Sequence, residues 1–311
     1  MLAYGKLAKK PVMFRSFTGL DVSEFDSLYK WIEARYSESE GKRLFRDDRE
    51  RRIGWGGRPF KLPLKDRLIM LLVYYRLYVT FTLAGFLFDI DQSSVCRDVQ
   101  KLEPLVKECI PLPKKVYERA RRARTAEEIE EYFPGFKTMI DATEQEIPRP
   151  KNNKKRKSHY SGKRKRHTVK TQLTVNEKGL ITHKTIHARG RRHDYDIFKR
   201  NHPELPGRVT PYVDLGYDGI QKDFPELNAA IPFKRRGGRD RKGRELTPEQ
   251  RLFNRGLSKV RVVVEHTISR MKKFNILGQE FRNRLRNYDM MTDVVSGLIN
   301  MRIMGSKAAF A

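Results

Sequence analysis

The chain reads as an all-helical N-terminal region followed by an α/β domain, and three observations predict that division. Before residue 110, apolar residues recur at helical spacing. After Gly135, short apolar or alternating segments follow one another as strands do, and a long amphipathic helix closes the series. Phe133-Pro-Gly135 punctuates the chain between the two styles. Four segments are expected: an N-terminal helical region over 1–60, a helix-turn-helix over 61–110, a helical linker over 111–134, and the α/β domain over 135–305.

Residues 1–20 read as irregular. Asp21 is an expected N-cap for a helix carrying Val22, Phe25, Leu28, Tyr29 and Ile32. Gly54-Trp-Gly-Gly-Arg-Pro59 reads as a loop, with Trp55 as an anchor on the core. Leu64, Leu68, Leu71, Leu72 and Tyr75 form one helical stripe, and a short second helix opens at Thr80. A third helix follows Asp91, with Val95, Val99 and Leu102 on its apolar face. Its other face is expected to carry Ser94, Arg97, Asp98 and Lys101. That arrangement predicts a helix-turn-helix, in which Ser93, Ser94, Arg97 and Lys101 contact DNA. Leu68–Phe88 is long enough to span a bilayer, but Arg76 in its middle favours two core helices. Thr125 and Glu128 form a capping box for a further short helix.

Strands are expected over 135–148, 166–175, 180–188, 209–214 and 229–233, with a helix from Asp194. Thr247, Pro248 and Gln250 open the long helix, which should run to about Phe274. Lys234–Arg244 is expected to be a basic loop.

Charge narrows the function. Lys and Arg number 66 against 38 Asp and Glu, for a formal net charge of +28. Such an excess predicts a polyanionic partner, above all nucleic acid, with an anionic membrane surface as the rival. Cys96 and Cys109 are too few for a disulfide scaffold or a cysteine zinc site. The basic N-terminus lacks the apolar stretch of a secretory signal. The densest cationic tract, Lys151–Lys170, holds ten Lys or Arg and no acid, and it directly follows the strand that carries Asp141.

Two strand acids, Asp141 and Asp214, and one helix acid, Glu265, are candidates for a single site. Oxygen ligands of this kind suit Mg²⁺ or Mn²⁺. Two such ions about 4 Å apart can drive an in-line phosphoryl displacement. Asp141 would then bridge the ions, and Asp214 and Glu265 would each hold one. Spacing alone leaves the alternative of ordinary strand-end carboxylates open. Glu144 should project from the strand face opposite Asp141. Asp218 reads as a turn residue, and His193-Asp194 as a helix cap.

Four ordered stretches sharpen this reading: Asp141-Ala-Thr-Glu-Gln145, Tyr160-Ser-Gly-Lys-Arg-Lys-Arg-His-Thr-Val-Lys-Thr-Gln172, Asp214-Leu-Gly-Tyr-Asp-Gly219 and Arg261-Val-Val-Val-Glu265-His266. Together they resemble the catalytic domain of DDE transposases from prokaryotic insertion sequences, in the group related to Harbinger elements. Residues 62–105 resemble the helix-turn-helix that precedes that domain. The resemblance implies an RNase H-like fold, a mixed sheet flanked by helices. Asp141 would lie on its first strand, Asp214 after its fourth and Glu265 on a C-terminal helix. It also implies an endonuclease and strand transferase that uses two Mg²⁺ or Mn²⁺ ions per site. The implied partners are double-stranded DNA, as terminal inverted repeats and target, and a second copy of the chain in the synaptic complex. A prokaryotic cytoplasm, close to the nucleoid, is the implied setting.

Relatives carry a Tyr–x2–Arg–x3–Glu–x6–Lys pattern around the catalytic glutamate. Arg261, Glu265 and Lys272 match it, and Ser258 stands where the tyrosine would be. Arg261 and Lys272 are thus expected on DNA, together with Lys163, Arg164, Lys165 and Arg166 of the cationic tract. The alternatives are a catalytically silent DNA-binding regulator and an RNase H-like nuclease without strand transfer.

Overall fold

In the computed structural model of the chain, residues 1–44, 60–234 and 245–305 are described. The Trp55 loop and nearly all of the basic Lys234–Arg244 loop lie outside them. The chain divides into two compact units. One holds Met1–Pro111, Lys272–Gly278 and Met290–Ala311, and the other Leu112–Met271 and Gln279–Asp289.

The first unit is helical. It opens with α1 (Tyr4–Leu7), α2 (Pro11–Thr18) and α3 (Val22–Leu44). Residues 1–20 are therefore ordered, against the expectation of irregularity. Pro11 sits in the first turn of α2, where a missing N–H costs nothing. Gly19 ends that helix at φ 81°, and a β-carbon there would come within 2.6 Å of the Phe274 ring. These helices are four and eight residues long, too short for helical periodicity to show in the sequence.

Next come α4 (Leu64–Leu77), α5 (Phe81–Phe88) and α6 (Gln92–Cys109). Every residue from Asp66 to Tyr75 is buried, so α4 is surrounded on all sides. A helix apolar all round is a core helix in a protein of this size. That accounts for the apolar run of residues 68–88, and among the described residues no helix is long and apolar enough to cross a membrane. Thr80 caps α5 by accepting the Leu83 amide at 3.2 Å.

Two members of the expected outer face of α6 turn inward. Asp98 is buried and accepts from Arg67 Nε at 2.9 Å. Lys101 pairs with Glu40 at 2.6 Å and lies 4.4 Å from the centre of the Phe60 ring. Helical spacing groups these residues with the polar face. Tertiary partners on α3 and α4 instead match their charges where the helix is covered.

The second unit begins with α7 (Pro113–Ala120) and α8 (Ala126–Tyr132). These helices, expected as a linker, belong to the sheet-containing unit, where α7 packs on β4. The Thr125–Glu128 capping box is present. Then follow β1 (Lys137–Glu146), α9 (Asn153–His159), β2 (Tyr160–Ser161), β3 (Arg166–Asn176), β4 (Ile181–Lys184), β5 (Ala188–Arg189), α10 (Asp194–Asn201) and β6 (Thr210–Tyr212). After β6 come α11 (Ile220–Asp223), α12 (Pro248–Lys272), α13 (Asn275–Gly278) and α14 (Tyr288–Met304). From Met290 onward α14 belongs to the first unit, although the expected catalytic segment ran to 305.

The sheet has six strands in the order β2-β3-β1-β6, with β4 and β5 also paired to β3. β1 is antiparallel to β3 and parallel to β6. The expected strand at 229–233 is reduced to one parallel bridge, Tyr212 to Ala230. Likewise, the strand expected over 180–188 breaks into β4 and β5. A mixed sheet with a central β1, an antiparallel meander on one side and parallel pairing on the other is the RNase H-like arrangement.

Candidate active site

The site forms where β1 and β6 run side by side. Their parallel register pairs Met139 with Tyr212. Asp141 and Asp214 each follow the last paired residue by two positions, and Asp214 acts electrostatically on Asp141. The preceding residues, Ile140 and Val213, are fully buried in one core cluster with Phe198, Tyr217 and Ile220. Two acids are thus held at the rim of a rigid core, and backbone pairing rather than chain proximity brings them together.

Each acid is oriented by a backbone amide. Asp141 Oδ1 accepts from Ala142 N at 2.8 Å, and Asp214 Oδ1 accepts from Gly216 N at 2.5 Å. A β-carbon at Gly216 would lie 2.8 Å from Asp214 Oδ1, so glycine there permits the tight turn. Burial pushes the Asp141 carboxyl up to about 6. The Ala142 amide and Arg261 pull it down, while Asp214 and Asp194 raise it further.

Arg261 reaches this pair from α12. Its Nη2 lies 3.9 Å from Asp214 Oδ2, and its buried Nε has no hydrogen-bond partner. Glu265 follows one helical turn later and is exposed. Among the described residues no three His, Cys, Asp or Glu side chains gather closely enough to hold a metal ion. The structure therefore brings two of the expected acids together and leaves the third on the adjoining helix. Lys272, at the end of α12, belongs to the first unit rather than with Arg261. Ser258 is exposed on the same helix.

Beside the acids lies a network that the linear pattern only half reveals. Lys170 Nζ sits 2.8 Å from Asp194 and 3.4 Å from Glu144, and its side chain is largely buried. Gln172 donates to Tyr217 Oη at 2.7 Å and to the Asp194 carbonyl at 3.2 Å. Asp194 stands in the first turn of α10, as a cap-region acid would, but it also acts electrostatically on Asp141. Lys170, Gln172 and Asp194 are the neighbours that sequence reasoning misses. The visible signal is the alternation of β3, which puts Lys170 and Gln172 on one face.

The oxygen donors that meet here suit a hard divalent cation. Asp141 and Asp214 would hold it, and Glu265 lies on α12 four residues after Arg261. Asp218 is not part of this pair and is linked to Lys234 at 3.6 Å.

In the first unit, Ser93 and Arg97 are exposed at the start of α6 and Ser94 is half-buried. Arg97 folds back, its Nε donating to Ser93 O at 3.2 Å. Lys163, Arg164, Lys165 and Arg166 are exposed around the β2–β3 turn.

A mixed sheet with two carboxylates at one end, joined in one chain to a helical unit and carrying a large positive charge, fits an enzyme that works on nucleic acid. Comparison with known proteins agrees. A family model described as "DDE superfamily endonuclease" matches residues 140–300, and "Helix-turn-helix of DDE superfamily endonuclease" matches 60–112. The chain is 32% identical over 251 residues to a probable transposase for insertion sequence element IS702 from Microchaete diplosiphon, covering 79% of this chain and 83% of that protein. No solved structure matches. The chain belongs to the DDE superfamily of endonucleases and is a transposase of that superfamily.

Proposed function

We propose that the protein binds the terminal inverted repeats of its element, cleaves the DNA at those ends and joins the resulting 3′-OH ends to target DNA. The observation that carries this reading is the meeting of Asp141 and Asp214 just past the β1–β6 pairing, beside an arginine one helical turn from Glu265. Asp141, Asp214 and Glu265 would hold two Mg²⁺ or Mn²⁺ ions. When bound, such ions neutralise charge on the attacking and leaving oxygens of the phosphoryl transfer. Arg261, whose guanidinium already reaches Asp214, grips the phosphate of the strand being cut. Ser93, Ser94 and Arg97 meet the DNA from α6, and Lys163, Arg164, Lys165 and Arg166 track its backbone. Two DNA ends must be held together, so the reacting form contains at least two copies of the chain.

The test is cleavage of DNA bearing the element's ends in the presence of Mg²⁺ or Mn²⁺. Asp141→Asn should abolish cutting and leave binding intact. A variant that cuts like the parent sinks the assignment. A parent that binds the ends without metal-dependent nicking would identify a silent regulator, the reading favoured by the absence of a three-acid cluster among the described residues. Cutting without joining would identify a nuclease.

A further inference from the structure

A second feature of the sheet unit is a cleft of about 1030 Å³ with a strongly cationic wall. Arg149, Arg156, Lys157, Lys163, Arg191 and Arg192 all line it. None of these six forms an ion pair with a described acid, whereas Lys170 on the same lining is matched by Glu144 and Asp194. Six unmatched cations around one concavity call for an anionic occupant.

The cleft also offers ring surface. Tyr160 is 42% exposed, and its ring lies 5.6 Å from that of His167, its cross-strand neighbour in the β2–β3 pair. Both rings line the cleft, and Gly216 at its edge is two residues from Asp214. The walls are built rather than incidental. Gly190 N donates to Thr168 O at 2.9 Å and Arg191 N to Ser158 O at 3.3 Å, which ties the Arg191-Arg192 turn to the end of α9. A β-carbon at Gly190 would fall 2.7 Å from the carbonyl oxygens of His159 and Thr168, so this docking needs glycine.

Size selects the occupant. A volume of about 1030 Å³ is on the scale of a site that encloses a small ligand or a few nucleotides. Aromatic faces with surrounding cations are how proteins hold unpaired bases and their phosphates.

Building on the DNA-processing reading above, we propose that this cleft holds a few unpaired nucleotides of the DNA strand adjoining the Asp141–Asp214 rim, with a base against Tyr160 and His167 and the phosphates among the unmatched cations. It is a single-strand subsite next to the reaction centre.

The experiment measures equilibrium binding of the full chain, in chelator, to a blunt duplex and to the same duplex with a thymidine overhang of about four nucleotides. The overhang should bind roughly 5- to 160-fold tighter, from about 1–3 kcal/mol per stacked base. Tyr160→Ala should erase that preference and leave blunt-duplex affinity within about twofold, since an exposed side chain on the cleft wall is not needed for the duplex contact. Tyr160→Phe should keep it, and Arg191→Ala with Arg192→Ala should weaken it. A 5-iodouracil in the overhang should photo-crosslink to Tyr160. Equal affinity for blunt and overhung DNA, or equal losses on both with Tyr160→Ala, overturns the proposal. Displacement of the overhang by inorganic phosphate as effective as by a short oligothymidylate would reduce the cleft to an anion site and also overturn it. Because binding needs neither metal nor cutting, a failed cleavage assay leaves this inference standing, and the reverse also holds.

Discussion

Arg67 in the helical unit and Asp141 in the sheet unit are both charged groups largely removed from water, and the fold treats them in opposite ways. Arg67 is 1% exposed and donates to Asp98 at 2.9 Å and to Tyr36 at 2.8 Å, with the Phe60 ring 3.9 Å from its guanidinium carbon. Asp141 receives one backbone amide and faces a second acid. Matched buried charge serves structure. Buried charge left with a like-charged neighbour is costly, and Arg261 offsets only part of that cost, since the Asp141 carboxyl stays raised. The same contrast separates Lys101, paired with Glu40, from the unmatched cations of the cleft.

Substitutions on the two sides of this comparison should therefore act in opposite senses. The largest effect is the loss of cleavage in Asp141→Asn. That variant should nevertheless unfold less readily than the parent at pH 7.5 in chelator, by roughly 1–3 kcal/mol, because it removes a carboxylate held up at about 6. Asp98→Ala should do the reverse and lose about 3–5 kcal/mol by stranding Arg67. Denaturant titrations of both check the pair, and a shared sign would break the comparison.

Glu103 offers an intermediate case in the helical unit. It accepts from Tyr75 Oη at 2.9 Å, yet burial raises its carboxyl to about 7. Since the folded-state value lies above the unfolded one near 4.5, the folded protein binds the extra proton between them. Stability from this group is present at low pH and lost as pH rises through about 7, by up to about 3 kcal/mol. Glu103→Gln should flatten that part of the stability profile, measured by thermal melts from pH 5 to 8. His183, lowered to about 4 by burial, contributes the opposite slope on the acid side.

Smaller effects fall on the DNA-facing surfaces. Arg97→Ala should weaken binding to cognate ends by about 1–3 kcal/mol more than to random DNA if α6 reads bases. Equal losses would reduce it to a phosphate-binding role. Lys101→Ala should change DNA affinity by less than Arg97→Ala, because its charge is already met by Glu40. Charge reversal across Lys163–Arg166 should weaken binding on all sequences and lower the salt slope by about 0.9 for every phosphate that is no longer neutralised. An unchanged slope places that turn away from DNA.

Local pattern carries much of this protein. Caps at Thr80, Thr125 and Thr247 and the places of α4 and β3 are readable because each rests on neighbours a few residues away, whereas the burial of α4 on all sides and of β3 on both faces is not. Asp141 and Asp214 stand out by their ordered stretches, and the excess positive charge points to nucleic acid. Where chain distance is large, tertiary structure decides. It sets Asp98 and Lys101 inward against Arg67 and Glu40, and it trims the strand expected at 229–233 to one bridge at Ala230. It also brings Asp141 and Asp214 together just past a parallel pairing of segments some seventy residues apart, places Asp194 beside them, and assembles the cationic cleft from segments around Arg149, Tyr160 and Arg191. The physical reason is that periodicity records which face of an element is apolar, while the matching of charges depends on which distant element covers that face.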